Sequence, residues 1–130
     1  DEVADAVLQL SAAGIRPSLF IDPDPDQLRA AYDCGAPVVE LHTGAYADSR
    51  GAAQAAELER IREAARFGAE NGLIVHAGHG LHYHNVEPVA AIPEIVELNI
   101  GHAVIARAVI EGLGPAVARM RELMQGARGS

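Results

Sequence analysis

The sequence predicts an α/β protein with a parallel sheet, and three observations carry that prediction. Strand-like apolar runs alternate with helix-like stretches four times along 130 residues. Nothing between them has the two-residue turn chemistry of a hairpin. Runs such as Leu19-Phe20-Ile21 are continuous rather than alternating, which marks strands buried on both faces. The length suits one domain with its own core, residues 1–130. Such a sheet is either closed or doubly wound, and in both architectures ligands bind at the carboxyl ends of the strands.

Each element has a local reason. Val3, Leu8 and Leu10 among alanines predict a helix that stops at Gly14, and Ile15 to Ile21 predicts the first strand. Asp24 is placed to cap a helix with Pro25 at its first position, running through Gln27 to Cys34 and stopping at Gly35. Pro37 to Leu41 is the second strand. A long helix from Ala52 to Glu70 puts Leu58, Ile61 and Ala65 on one face and ends at Asn71-Gly72. Leu73 to Ala77 and Val96 to Ile100 are the third and fourth strands, with a short segment from Val86 to Ile92 between them. A short helix, Ala103 to Ile110, follows. It is broken by Gly112, Gly114 and Pro115, and a last amphipathic helix runs from Ala116 to Met124 before a frayed tail, Gly126 to Ser130.

Composition excludes several classes. A formal charge of −8 disfavours nucleic acid, although backbone N–H groups can still make a local site for a small anion. Cys34 stands alone, so there is no intrachain disulfide and no cysteine zinc site, and a reducing, cytoplasmic compartment fits. No apolar run approaches the roughly 20 residues that span a bilayer. Asp1-Glu2 has the wrong charge to open a signal peptide, and the absence of an initial Met fits a piece of a longer chain.

Polar groups gather where the strands end. Asp22 closes the first; Glu40-Leu41-His42-Thr43-Gly44, His76-Ala77-Gly78-His79-Gly80 and Asn99-Ile100-Gly101-His102 close the others. Alternation along the second strand points Glu40 and His42 to one side and Leu41 to the other. A carboxylate there is costly unless it is paired or used, so Glu40 is either functional or a satisfied structural group. Gly101-His102 precedes a short helix after the last strand, an arrangement that holds phosphate in (βα)8 barrels; the plainer reading is an ordinary helix start. Two glycines flank His79 and leave its ring open to a ligand, which suits proton transfer better than a simple tight turn. The series His76, His79, His82 and His84 invites a metal reading, but its spacing matches no helical pair, and no metal or cofactor is expected. His42 is as readily a hydrogen-bonded core group as a catalytic one. Asp48, Ser49 and Arg50 read as solvated loop residues or part of a lid.

Five segments together resemble one family: Ser18-Leu-Phe-Ile-Asp22, Val39-Glu-Leu-His-Thr-Gly-Ala-Tyr-Ala-Asp48, Ala77-Gly-His-Gly-Leu81, Tyr83-His-Asn-Val86 and Glu97-Leu-Asn-Ile-Gly-His-Ala103. They are similar to the carboxyl-terminal half of the pyridoxine 5′-phosphate synthases. The resemblance implies a (βα)8 TIM barrel, represented by its last four βα units with an extra short helix after the last strand. It implies condensation of 1-deoxy-D-xylulose 5-phosphate with 3-amino-2-oxopropyl phosphate to pyridoxine 5′-phosphate, phosphate and water. It makes His79 a proton donor and Glu40 a transition-state stabiliser, and has Gly80, Gly101 and His102 bind the amino-ketone phosphate. It also implies phosphorylated small-molecule substrates, a cytoplasmic home and a homo-oligomer, an octamer in the family.

Two positions depart from the usual pattern: His76 stands where Asn is common, and His82 where Thr or Asn is common. The family's amino-terminal motifs, an Asn-x-Asp-His segment and an Arg-Glu-Asp-Arg-Arg-His stretch among them, do not occur in these residues. Half a barrel leaves open sheet edges and an exposed inner face, so the chain alone is expected to dimerise, aggregate or require the missing half. The alternative is a phosphate-binding half-barrel without catalysis; a metal-dependent hydrolase built on the histidines is a more distant one.

Overall fold

A computed structural model describes residues 2–129. Helix α1 (Glu2–Ala12) leads into strand β1 (Ser18–Ile21), shorter than the Ile15–Ile21 predicted from apolarity. Pro17 has no N–H to offer a neighbouring strand, and Ile15 lies exposed. Helix α2 (Pro25–Asp33) starts as its sequence predicts: the Asp24 carboxylate accepts from the N–H groups of Asp26 at 2.8 Å and Gln27 at 3.4 Å, with Pro25 in the first turn. Strand β2 (Val38–His42) follows.

The next element departs from expectation. Gly44–Asp48, predicted as the start of a loop, is a short helix, α3, whose Gly44, Tyr46 and Ala47 are buried. Helix α4 (Gly51–Glu70) ends where Gly72 takes a φ of 83° and lets the chain turn into strand β3 (Ile74–Gly78). Helix α5 (Val86–Ala90) and strand β4 (Ile95–Asn99) come next, then α6 (His102–Glu111) and α7 (Leu113–Ala127). Gly112 alone, at φ 90°, separates the last two helices; Gly114 and Pro115, predicted as part of the break, lie in the first turn of α7. Proline is compatible there because first-turn N–H groups have no helical partner.

The tail from Gly126, predicted to fray, continues α7 as far as Ala127 and is tied down through Arg128. The guanidinium of Arg128 donates to the carbonyls of Ala90 (2.9 Å), Ile92 (3.0 Å) and Ile95. Ser130 lies outside the described residues.

The four strands are parallel in the order β1-β2-β3-β4. A doubly wound sheet reverses its strand order at a switch point; this one does not, and it follows the sequential order of a barrel wall. Helices α2, α4 and α5 pack on the same side. Leu28 and Ala31 from α2, Ile61 and Ala65 from α4 and Val89 from α5 bury Val39, Leu41, Val75 and Ala77 of the sheet. A second cluster, Val86, Val104, Ala116 and Met120, seats α6 and α7 against Leu98 and Ile100.

The opposite side of the sheet carries the in-register row Phe20, Glu40, His76 and Glu97. A bulge leaves Val96 without a partner between Ile95 and Glu97. Phe20 is 54% exposed and Val96 66%, in contrast to the buried Val39, Leu41, Val75 and Ala77 on the side facing the helices. The architecture is thus one arc of four βα units, with helices outside and an uncovered inner wall.

Candidate functional site

The inner wall and the turns above it frame a cleft of about 580 Å³. It is lined by Glu40, His79, Gly80, Gly101 and His102, all five residues that the sequence singled out, together with Phe20, His82, Asn99 and Ile100 among others. Glu40 faces the cleft because Leu41, its neighbour in β2, faces the helices and is fully buried. Its Oε2 accepts a hydrogen bond from Asn99 Nδ2 at 2.9 Å. Gly78 lies in register with Asn99, and a Cβ at Gly78 would collide with Glu40 Oε1 and stand 2.9 Å from the Asn99 carbonyl oxygen. Glycine at that position gives the carboxylate its room.

The turn after β3 is the most constrained part of the site. His79 has φ 82°, the one non-glycine residue at positive φ among the described residues, and Gly80 follows at φ 73°. An L side chain held there costs about 1–2 kcal/mol. The turn is built to bear that cost. Thr43, fully buried, donates its hydroxyl to the carbonyls of Gly78 at 2.8 Å and His79 at 2.6 Å, and its N–H to Gly78 O at 2.8 Å.

The His79 ring stacks on His42 with centroids 4.5 Å apart, and the Phe20 ring, tilted by 34°, has its centroid 4.9 Å from that of His42. His42 Nδ1 accepts the Gly44 N–H at 3.1 Å, which places the ring hydrogen of the neutral imidazole on Nε2. Helix α3 closes the back of the turn. A Cβ on Gly80 would stand 2.6 Å from the Ala47 Cβ.

The loop beyond the turn is organised by Asn85. Its Oδ1 accepts from His82 N–H at 2.7 Å, its Nδ2 donates to Gly80 O at 3.2 Å, and its carbonyl accepts from Tyr46 OH at 2.7 Å. Burial pushes the Tyr46 phenol above its ordinary pKa, since the charged form would lose water without gaining a cation.

The fourth strand ends differently. Gly101 precedes α6 without a side-chain cap, and both Gly101 and His102 are exposed. The first N–H groups of α6 therefore open into the cleft with no side chain bound to them.

The four histidines of the series do not converge. His76 is buried, with Nδ1 3.3 Å from Glu97 Oε1. His79 stacks on His42, while His82 and His84 meet edge to face at 5.9 Å. Among the described residues no group of three or more metal-ligating side chains comes together. Sequence reasoning did not single out Asn99 or Thr43. Asn99 carried a signal, since it ends a strand beside the glutamate's register; the role of Thr43 depends on a contact across 35 residues, which spacing does not reveal.

Parallel βα units in sequential order, with polar residues grouped at the strands' carboxyl ends, define a protein of the (βα)8-barrel class. Residues 1–126 match the family described as Pyridoxal phosphate biosynthesis protein PdxJ, and the chain belongs to that family. It is 61% identical over 127 residues to the pyridoxine 5′-phosphate synthases of Legionella pneumophila strains Corby, Philadelphia 1 and Paris. Each alignment covers 97% of this chain and 51% of the relative, so the chain spans about half the length of the curated relatives it matches.

Proposed function

We propose that these residues form the carboxyl-terminal half-barrel of a pyridoxine 5′-phosphate synthase, contributing one side of the active site. The carrying observation is that Glu40, His79, Gly80, Gly101 and His102 line one cleft at the carboxyl ends of the strands. In this reading 3-amino-2-oxopropyl phosphate lays its phosphate against Gly80, Gly101, His102 and the N-terminus of α6, where N–H dipoles favour a dianion. The Glu40 carboxylate, oriented by Asn99, stabilises positive charge that develops on the amine-derived carbon–nitrogen unit during condensation with 1-deoxy-D-xylulose 5-phosphate. His79, presented on its strained turn, donates a proton to a leaving oxygen.

The rest of the site comes from a partner: the amino-terminal half-barrel of the same protein, within a cytoplasmic homo-oligomer. Exposed Phe20 and Val96 and the free edges of β1 and β4 are the surfaces that such a half covers. The test is phosphate release by the full-length gene product containing this sequence, supplied with both substrates. His79→Ala is expected to lower kcat by on the order of 10²–10⁴-fold. Full turnover by that variant would remove His79 from the mechanism.

A second reading rests on the half-length match: a module that binds the amino-ketone phosphate without turnover. Calorimetry on the isolated chain distinguishes the two, because binding by the chain with no phosphate release from the full-length protein favours the module.

A further inference from the structure

We propose that Thr43 is a positioning residue for His79, acting through the backbone rather than on substrate; the inference rests on the synthase reading above and extends it. The two peptide planes on either side of the His79 Cα end in the carbonyls of Gly78 and His79. Thr43 Oγ1 reaches both, at 2.8 and 2.6 Å, so its single proton is shared between them. Pinning the plane before a residue and the plane after it fixes φ and ψ together. Here it holds His79 at φ 82°, a conformation that an L residue leaves when released.

Two further observations make this a device rather than an incidental contact. A threonine immediately before a helix ordinarily turns its hydroxyl onto the helix's first N–H groups. Thr43 occupies that place ahead of α3, makes no such bond, and spends its hydroxyl on the neighbouring strand's turn. The ring that the turn presents is also braced from the side: His79 stacks at 4.5 Å on His42, itself held by the Gly44 N–H and flanked by Phe20. Backbone and ring are therefore fixed by separate contacts from the same β2–α3 corner, and Thr43 supplies the backbone half. Thr43 has no exposed surface, so it has no route to substrate except through His79.

The test compares Thr43→Val, which keeps shape and the backbone N–H but removes the hydroxyl, with Thr43→Ser, which keeps the hydroxyl. Both are made in the full-length gene product. Thr43→Val is expected to lose on the order of 10²-fold in kcat, the effect of misplacing a catalytic group by about an ångström, with KM changed less than about 3-fold. Thr43→Ser is expected to stay within about 3-fold of wild type in both constants. A nuclear Overhauser contact between the His42 and His79 rings reads the position of His79 without reference to turnover. It should weaken in Thr43→Val and persist in Thr43→Ser.

A Thr43→Val protein that keeps the ring contact overturns the proposal, and so does a tenfold loss of kcat in Thr43→Ser. If the wild-type full-length protein releases no phosphate from the two substrates, the synthase reading fails, and the ring contact still decides whether Thr43 holds His79.

Discussion

The two glycine–histidine turns that line the cleft are built on opposite principles. Gly78-His79-Gly80 is held from the protein side while His79 and Gly80 stay exposed to the cleft: Thr43 holds its carbonyls, Ala47 fills the space behind Gly80, and Asn85 and Tyr46 anchor the loop that follows. Gly101-His102 is open. A Cβ on Gly101 would meet nothing within 4 Å, its φ of −106° suits any residue, and no side chain caps the helix it begins. One turn stores strain and fixes a ring; the other leaves backbone donors free for something that arrives from solution. A proton donor needs a defined direction, and a phosphate needs accessible N–H groups, so the contrast matches the division of labour proposed for the two turns.

Substituting the matched glycines tests that contrast most sharply. Gly80→Ala places a Cβ 2.6 Å from that of Ala47 at a residue with φ 73°, so it combines left-handed strain with overpacking. It is expected to destabilise the fold by about 3 kcal/mol, read as a fall in the urea midpoint. A midpoint within error of wild type would show that the β3 turn is not the rigid one.

Tyr46→Phe removes the 2.7 Å bond to the Asn85 carbonyl and leaves that acceptor buried, at a cost of about 1 kcal/mol. It also carries a pH signature. The folded-state pKa of Tyr46 is raised above the ordinary 10.0. Below that value the phenol is protonated in both states, and its contribution is fully present. Above it the unfolded chain releases the proton first, so stability falls as pH rises toward the folded value. Urea midpoints between about pH 9 and about pH 11 should therefore drop further in wild type than in Tyr46→Phe. Parallel curves would mean that Tyr46 ionises freely and that the loop beyond His79 is less closed than it stands here.

Gly101→Ala is expected to change stability least, by about 0.5 kcal/mol or less, since the added methyl points into open space. Its effect should fall on ligand alone: weaker binding of 3-amino-2-oxopropyl phosphate by calorimetry, with an unchanged urea midpoint. A loss of stability comparable to that of Gly80→Ala would erase the distinction between the turns.

Much of this was legible in the residues. Asp24-Pro25 announced α2 through its cap, Asn71-Gly72 announced the end of α4, and the alternation in β2 placed Glu40 opposite Leu41, because each of these depends on neighbours within a few positions. Helix α3 was not legible. Its five residues begin with glycine and have no room for a helical hydrophobic period, and they are helical because Tyr46 and Ala47 are buried against the β3 turn. The extension of α7 was missed for a related reason, since its anchor is Arg128 reaching back to carbonyls of residues 90–95.

The sequence by itself therefore determined the parallel βα order, the identity of the groups at the strand ends and the family they belong to, because periodicity, caps and motifs are short-range information. Only the tertiary structure decided that one glycine–histidine turn is strained and the other open. That difference lies in contacts between β2, α3 and β3 across some 35 residues, where a buried threonine hydroxyl meets two carbonyls that no local pattern brings together.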